Sequence, residues 1–324
     1  MKYRVLTGTG LEVSEFCLGT MLYGKQVEEK DAIEMCHYAL DQGINFVDTA
    51  NVYVTGGSES VVGKAIKGRR DKLILATKVG AYFGEGVNEH GLSRRHIIEQ
   101  LEGSLRRLGT DYIDIYYMHR PDPNTPVQEF LETLDTIVRS GKVRYIGASN
   151  FAAWQLCQLY YEAQRYGRQA PVVTQMVYNA ITRGIEQEII PFVKAFKTGL
   201  IAYNPLAGGM LSGKYKERDI KQGGRFDLNA SYKMRYWNDE NFGAVESLSK
   251  LSDEMGISLV ELCMRWVYSN SAVDCILVGA SRMQQLKDNL ASLDAGVLPT
   301  EAFATFDAVW KEIGGNRFAY NRER

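Results

Sequence analysis

The sequence is poor in several things that would have pointed elsewhere. It has five cysteines, Cys17, Cys36, Cys157, Cys263 and Cys275, scattered, odd in number and without a CxxC pair. That excludes a disulfide framework and fits free thiols in a reducing, cytoplasmic setting. Its four histidines show no metal-ligand spacing such as HExxH, so no metal site is expected. No sign of charge dominates: 38 Lys and Arg against 39 Asp and Glu leave a formal net charge of −1. No global field therefore argues for nucleic acid or a membrane surface. No apolar run approaches the ~18 residues of a spanning helix, and "MKYRVLTGTG" has no signal-peptide core. No GxGxxG follows any β-like run, which weakens the case for a doubly wound dinucleotide fold.

What is present is a long, ordinary globular composition: 324 residues, 45% hydrophobic and 24% charged. Short apolar runs alternate with longer helical patterns. "FCLGTM", "INFVDT", "LILATKVG", "IDIYYMH", "VRYIGASN", "VVTQMVYN", "LIAYNPL" and "CILVGA" each precede a helix-like stretch. In "SRRHIIEQLEGSLRRLG", Ile97, Leu101, Leu105 and Leu108 keep helical spacing. Pro126 is placed at a first helical position and Gly141 at that helix's end. "IEQEIIPFVKAFKTG" reads as one helix, and two more are expected near 240–256 and 259–269. Continuous apolar strands suit a sheet buried on both faces. Eight strand-then-helix units point to one (β/α)8 barrel over 1–324, with two extra helices, a hairpin at 3–15 plugging its bottom, and a tail at 312–324. In the tail, Arg317, Phe318 and Tyr320 are candidates to fold over the barrel mouth. An open doubly wound sheet is the runner-up.

In such a barrel, chemistry sits where strands end. Asp48, Tyr53, Lys78 and His119 are polar residues at or just past the ends of neighbouring strands. Each has a plainer reading alone: a helix cap, a packed phenol, a solvated ammonium, a structural histidine. Together they form a proton-donating set. A phenol titrates at about 10; a nearby ammonium lowers that value, Asp48 would balance the ammonium, and His119 would orient a substrate oxygen. This is machinery for carbonyl reduction if a hydride donor binds beside it.

Later strand ends offer a place for that donor. Ser149, Asn150 and Gln175 could hold a carboxamide, with Tyr203 stacked on its ring; helix capping and a core hydrogen bond are the plain alternatives. Gly208, Gly213 and Lys214 satisfy GxxxxGK, but Tyr215 stands where a Mg²⁺-binding Ser or Thr would be, so a triphosphatase is excluded. The segment could still embrace a diphosphate through backbone amides. "GASRMQQLKDN" opens a helix, and Ser281 with Arg282 could hold a ribose 2′-phosphate.

These motifs, in this order from Tyr3 to Leu293, resemble the aldo-keto reductase family. "DTANVY" resembles its DTAxxY signature, with Lys78 in "ATKVG" and His119 in "MHRPD" completing a tetrad. "GKVRYIGASNF", "NPLAGGMLSGKY" and "VGASRMQQLKDN" resemble segments of the branch holding potassium-channel β-subunits and bacterial relatives. The resemblance implies a cofactor, NADP(H), and a small-molecule carbonyl or sugar substrate. It implies Tyr53 as proton donor, tuned by Lys78 and Asp48. It also implies Gly19, Thr20, Asn204, Pro205, Leu206, Gly208, Ser212, Lys214 and Arg225 around the nicotinamide and diphosphate, and Gly279, Ser281, Arg282, Gln285, Asp288 and Asn289 at the adenosine end. Relatives range from monomers to octamers, which leaves a homo-oligomer open. Val54 and Thr55 depart from the family pattern, where Gly often follows the Tyr, and are expected to reshape the pocket rim. Tyr82, Phe83, Tyr236 and Trp237 either stack on substrate or pack their own loops, and Arg120 and Arg235 are candidates to attract an anion. Two other functions compete: a regulatory subunit that keeps cofactor with little turnover, and a Schiff-base lyase using Lys78.

Overall fold

The alternating runs close into a barrel. The computed structural model describes residues 1–215, 218–220, 222 and 224–314; the proposed roles of Arg317, Phe318 and Tyr320 lie outside them. Strands β1 (Tyr3–Val5) and β2 (Glu12–Ser14) form an antiparallel hairpin. The barrel strands are β3 (Phe16–Gly19), β4 (Phe46–Asp48), β5 (Ile74–Val79), β6 (Ile113–Met118), β7 (Val143–Ser149), β8 (Val173–Val177), β9 (Gly199–Tyr203) and β10 (Cys275–Val278). They pair in parallel in chain order, and β10 closes the ring on β3.

Between them run α1 (Glu29–Asp41), α2 (Gly57–Ala65), α3 (Arg94–Leu108), α4 (Val127–Arg139), α5 (Ala153–Arg165) and α6 (Ile189–Phe196). After β9 come α7 (Arg225–Leu228), α8 (Ala230–Tyr236), α9 (Asp239–Glu254) and α10 (Leu259–Tyr268); after β10 come α11 (Met283–Ala291) and α12 (Ala302–Gly314). In α3 the Ser93 side chain caps the first turn, Gly109 ends the helix in a left-handed conformation, and Ile97, Leu101, Leu105 and Leu108 form its buried stripe. Pro126 lies one place earlier than expected, preceding the first helical residue of α4. The single helix expected over 185–198 is in fact a short 3₁₀ turn at Gly184–Glu186 followed by α6. Pro191 explains the split: lacking an N–H, it is tolerated in the first turn of a helix but not inside one. Two long helices stand outside the strand–helix alternation, α9 and α12, and they pack against each other.

The hairpin does plug the bottom. Leu6 and Val13 are fully buried in one cluster with Cys17, Phe46, Ile74, Ile115, Val173, Ile201 and Cys275 from the barrel interior. Burying each contributes about 1.5–3 kcal/mol. Because side chains alternate along a strand, this inward set also fixes what points into the barrel higher up. Two residues on from an interior position lie, strand by strand, Gly19, Asp48, Lys78, His119, Ser149, Gln175, Tyr203 and Gly279. The apolar floor and the polar mouth are thus one alternation read at two heights. Gly147 falls in the same inward series, and a Cβ there would run into the ring of Tyr117.

Candidate active site

Lys78 is wholly buried, and its Nζ donates to Asp48 Oδ1, to Thr49 O at 2.8 Å and toward Tyr53 Oη at 3.4 Å. Gln175 Nε2 donates to the other Asp48 oxygen at 3.0 Å. The Thr20 N–H and hydroxyl both donate to Asp48 O, at 3.1 and 2.9 Å, fixing the end of β4. The Tyr53 ring meets His119 edge-on, with centroids 5.8 Å apart. The four residues, drawn from the ends of β4, β5 and β6, therefore converge, and Asp48 serves no described helix as a cap.

Burial pushes the Asp48 carboxyl up, while Lys78 and Gln175 pull it back. Burial alone would depress the Lys78 ammonium, but Asp48 and Tyr53 lift it above the usual lysine range. With three oxygens around its Nζ, Lys78 is an ammonium, a poor nucleophile, which argues against a Schiff-base role. The Tyr53 phenol departs from expectation. Burial pushes it up, Lys78 pulls it down, Asp48 pushes it up again, and the net direction is upward. Asp48 already neutralises much of the ammonium, so Lys78 offsets burial without overcoming it. Tyr53 keeps its proton at neutral pH. Burial, then Lys78 and Arg120, lower the His119 imidazole to about 3, so it is neutral, and its buried Nδ1 has no hydrogen-bond partner among the described residues.

Tyr53 begins a turn, Tyr53–Gly56, of unusual backbone. Val54 (φ 53°, ψ 36°) and Thr55 (φ 51°, ψ 47°) are both left-handed, and Gly56 follows at φ 86°. Left-handed β-branched residues cost about 1–3 kcal/mol each. The rim departure seen in the sequence is thus a strained turn that directly carries the phenol.

Beside the tetrad opens a cavity of about 840 Å³, within the usual range for a ligand site. Asp48, Tyr53 and His119 line it; Lys78 lies behind them. Each of the candidate cofactor residues named above, from Gly19 to Asn289, also lines it. Their internal bonds revise several roles. Ser149 and Asn150 cap nothing, since α5 starts after Ala152. Ser149 Oγ donates to Gln175 O at 2.9 Å. Asn150 Nδ2 donates to His119 O at 3.0 Å, and Tyr203 Oη donates to Asn150 Oδ1 at 2.8 Å, so Asn150 ties the cavity wall to the histidine. The amides of Gly208, Gly209 and Leu211 already donate to Asn204 Oδ1, Leu206 O and Leu206 O, at 2.7, 2.8 and 3.2 Å. They are not free for a diphosphate, as the sequence suggested, and the Ser212 hydroxyl donates to Gly209 O at 2.6 Å; Lys214 and Arg225 bring positive charge to the same stretch of cavity wall. Ser281 N–H and hydroxyl both donate to Gln285 Oε1 at 3.0 Å, and Arg282, exposed, immediately precedes the first residue of α11.

Of the rim aromatics, Tyr236 and Trp237 pack their own loop: Tyr236 is buried, accepting from Asn204 Nδ2 at 2.8 Å, and Trp237 meets Tyr215, Phe226 and Phe242. Tyr82 is exposed, stacked on His90 with Arg120 near its ring.

The aldo/keto reductase family model matches residues 15–311. This chain belongs to the aldo/keto reductase family. It is 38% identical to the "uncharacterized oxidoreductase YrpG" of Bacillus subtilis, over 97% of this chain and 98% of that protein. It is 36% identical to a "probable voltage-gated potassium channel subunit beta" of Oryza sativa, over 91% of this chain and 92% of the other. It is 33% identical to "aflatoxin B1 aldehyde reductase member 2" of Rattus norvegicus, over 91% and 84%. In this aldo/keto reductase the cavity wall also includes Met21, Leu22, Gln26 and Tyr232, which the sequence reading had passed over. Met21 and Leu22 lie just past the end of β3, where the strand-end rule applies, and Gln26 is farther along the same loop. Tyr232 comes from α8, and its ring fills the space a Cβ on Gly208 would need, 2.5 Å away.

Proposed function

We propose that this protein is an NADP(H)-dependent reductase of a small aldehyde or ketone, able to run in reverse on the matching alcohol or sugar. The observation that carries the reading is the Tyr53 hydroxyl, 3.4 Å from a fully buried ammonium, at the wall of a cavity large enough for a dinucleotide. The cavity fits such a cofactor: its lining carries amide and hydroxyl groups, Ser149, Asn150 and Gln175 among them, and the cations Lys214, Arg225 and Arg282. When bound, the reduced nicotinamide supplies a hydride. The chain supplies the rest. Ser149 and Gln175 face the ring's carboxamide, Arg282 suits a 2′-phosphate, and Tyr53 Oη gives its proton to the substrate oxygen. Neutral His119 orients that oxygen by a hydrogen bond. Lys78 stabilises the phenolate left behind and Asp48 holds Lys78 in place. The free cysteines suit a cytoplasmic setting.

The test is a panel of carbonyl compounds with NADPH oxidation followed by absorbance, and of sugars with NADP⁺ in reverse. Tyr53→Phe should lose on the order of 10²–10⁴ in kcat while keeping cofactor affinity. Full turnover in Tyr53→Phe would place the proton donor elsewhere; failure to bind NADPH or NADH would end the redox reading. The likeness to proteins named as channel β-subunits favours one second reading, a subunit that holds cofactor with little turnover. Tight NADPH binding without turnover across the panel would select it.

A further inference from the structure

Glu59 is wholly buried, two residues into the helix that follows the Tyr53 turn. A buried carboxylate is tolerated only when paired. Its Oε2 accepts from Arg107 Nε at 2.7 Å, and its Oε1 accepts from Thr77 Oγ1 at 2.5 Å. Thr77 is the neighbour of Lys78 on β5. Arg107 comes from the end of α3, and its guanidinium lies 5.2 Å from the centre of the Phe83 ring.

Arg107 also presses on the turn itself. A Cβ on Gly56 would sit 2.7 Å from Arg107 Cδ and 2.8 Å from its Nε. The backbone of Arg107 and Leu108 is as close to α2, whose Gly63 would place a Cβ 2.6 Å from Arg107 O. One ion pair thus joins the helix after the turn, the strand bearing Lys78 and the underside of the turn. In the same turn, next to Gly56, are Val54 and Thr55, held left-handed. Such a backbone persists only where its surroundings over-determine it.

We propose that Glu59 and Arg107 form a clamp that holds the strained turn and thereby sets the Tyr53 hydroxyl against Lys78. Both are positioning residues and touch no reacting atom. The effect on rate rests on the reductase reading given above; the effect on the turn does not. Without the clamp, Val54 and Thr55 relax toward ordinary backbone angles and carry the phenol away from the ammonium.

Arg107→Met keeps the apolar stem and removes the ion pair. Its kcat should fall on the order of 10²-fold, the scale of a 1 Å misplacement, with NADPH affinity and KM within about twofold. Adding Val54→Gly removes the left-handed penalty at that position, so the double variant should recover much of the lost kcat. A rate loss with no recovery, or a fall in melting temperature with kcat intact, would overturn the clamp. Should Arg107→Met fail to fold, Thr77→Val removes one bond to Glu59 and leaves the ion pair; a smaller kcat loss, again relieved by Val54→Gly, is expected, and an unchanged kcat overturns the proposal. Hydrogen exchange gives a readout free of turnover. The Thr55 and Gly57 amides are bonded within the turn and should exchange faster in Arg107→Met or Thr77→Val and slow again with Val54→Gly. Unchanged exchange sinks the clamp. Wild-type protein with no turnover but clamp-dependent exchange sinks only the reductase reading.

Discussion

Gln175 occupies two sites at once. Its Nε2 holds Asp48 Oδ2 at 3.0 Å, and the residue also lines the cavity where a nicotinamide is expected. A buried carboxylate that loses a donor is left partly unsatisfied, at a penalty of about 1–3 kcal/mol. Gln175→Leu is therefore expected to lower unfolding free energy by that amount. It should also weaken NADPH while leaving adenosine 2′,5′-bisphosphate, which has no nicotinamide, bound as before. Fluorescence titration and calorimetry separate the two ligands. An equal loss for both would show that Gln175 does not face the ring. Asn150 works by the same logic in the other direction: bonded to His119 O and to Tyr203 Oη, it links the cavity wall to the histidine backbone.

At the level of elements, the apolar floor and the polar mouth are separate layers of one barrel. Leu6 anchors the hairpin in the floor, so close to β9 that a Cβ on Gly199 would meet its Cδ1 at 2.8 Å. Leu6→Ala should cost about 2–5 kcal/mol in denaturant unfolding while leaving cofactor affinity unchanged, because Leu6 belongs to the apolar floor cluster and is not among the residues lining the cavity. Loss of binding in a folded Leu6→Ala protein would mean that the layers are coupled. This layering is also why so much was legible. Strands buried on both faces announce themselves as apolar runs, and a polar residue that breaks such a run in register with the inward-facing set points into the barrel; Asp48, Lys78 and Gln175 are readable on that ground. What escaped obeys different physics. Helices α7 and α8, of 4 and 7 residues, are too short to show a period in a window of about 11–18 residues. In α12 the buried Ala302, Phe306 and Val309 keep helical spacing, a pattern that was present and not used. The left-handed turn was hidden because Val and Thr are among the residues least suited to it, and tertiary packing from Arg107 overrides that preference. The upward direction of the Tyr53 phenol depends on burial, which adjacency in sequence does not reveal.

On the scale of the whole molecule, the site leaves a mark on stability. His119 is lowered to about 3 in the folded chain, first by burial and then by Lys78 and Arg120, against about 6.5 for an unfolded histidine. Between those values the unfolded chain takes up a proton that the folded chain refuses. Unfolding is then favoured by acid: the contribution is fully present above about pH 6.5 and is lost progressively as pH falls toward 3. The slope approaches about 1.4 kcal/mol per pH unit at most. His119→Asn removes this titration and leaves every other acid in place. Urea unfolding between roughly pH 7 and pH 4.5 should therefore give a steeper loss of stability on acidification for wild type than for the variant. Parallel curves would mean that the folded histidine titrates like a free one. It would then be a cation at mildly acid pH, beside an ammonium that already lowers it, and the hydrogen bond proposed for the substrate oxygen would come from a charged imidazole instead of a neutral one.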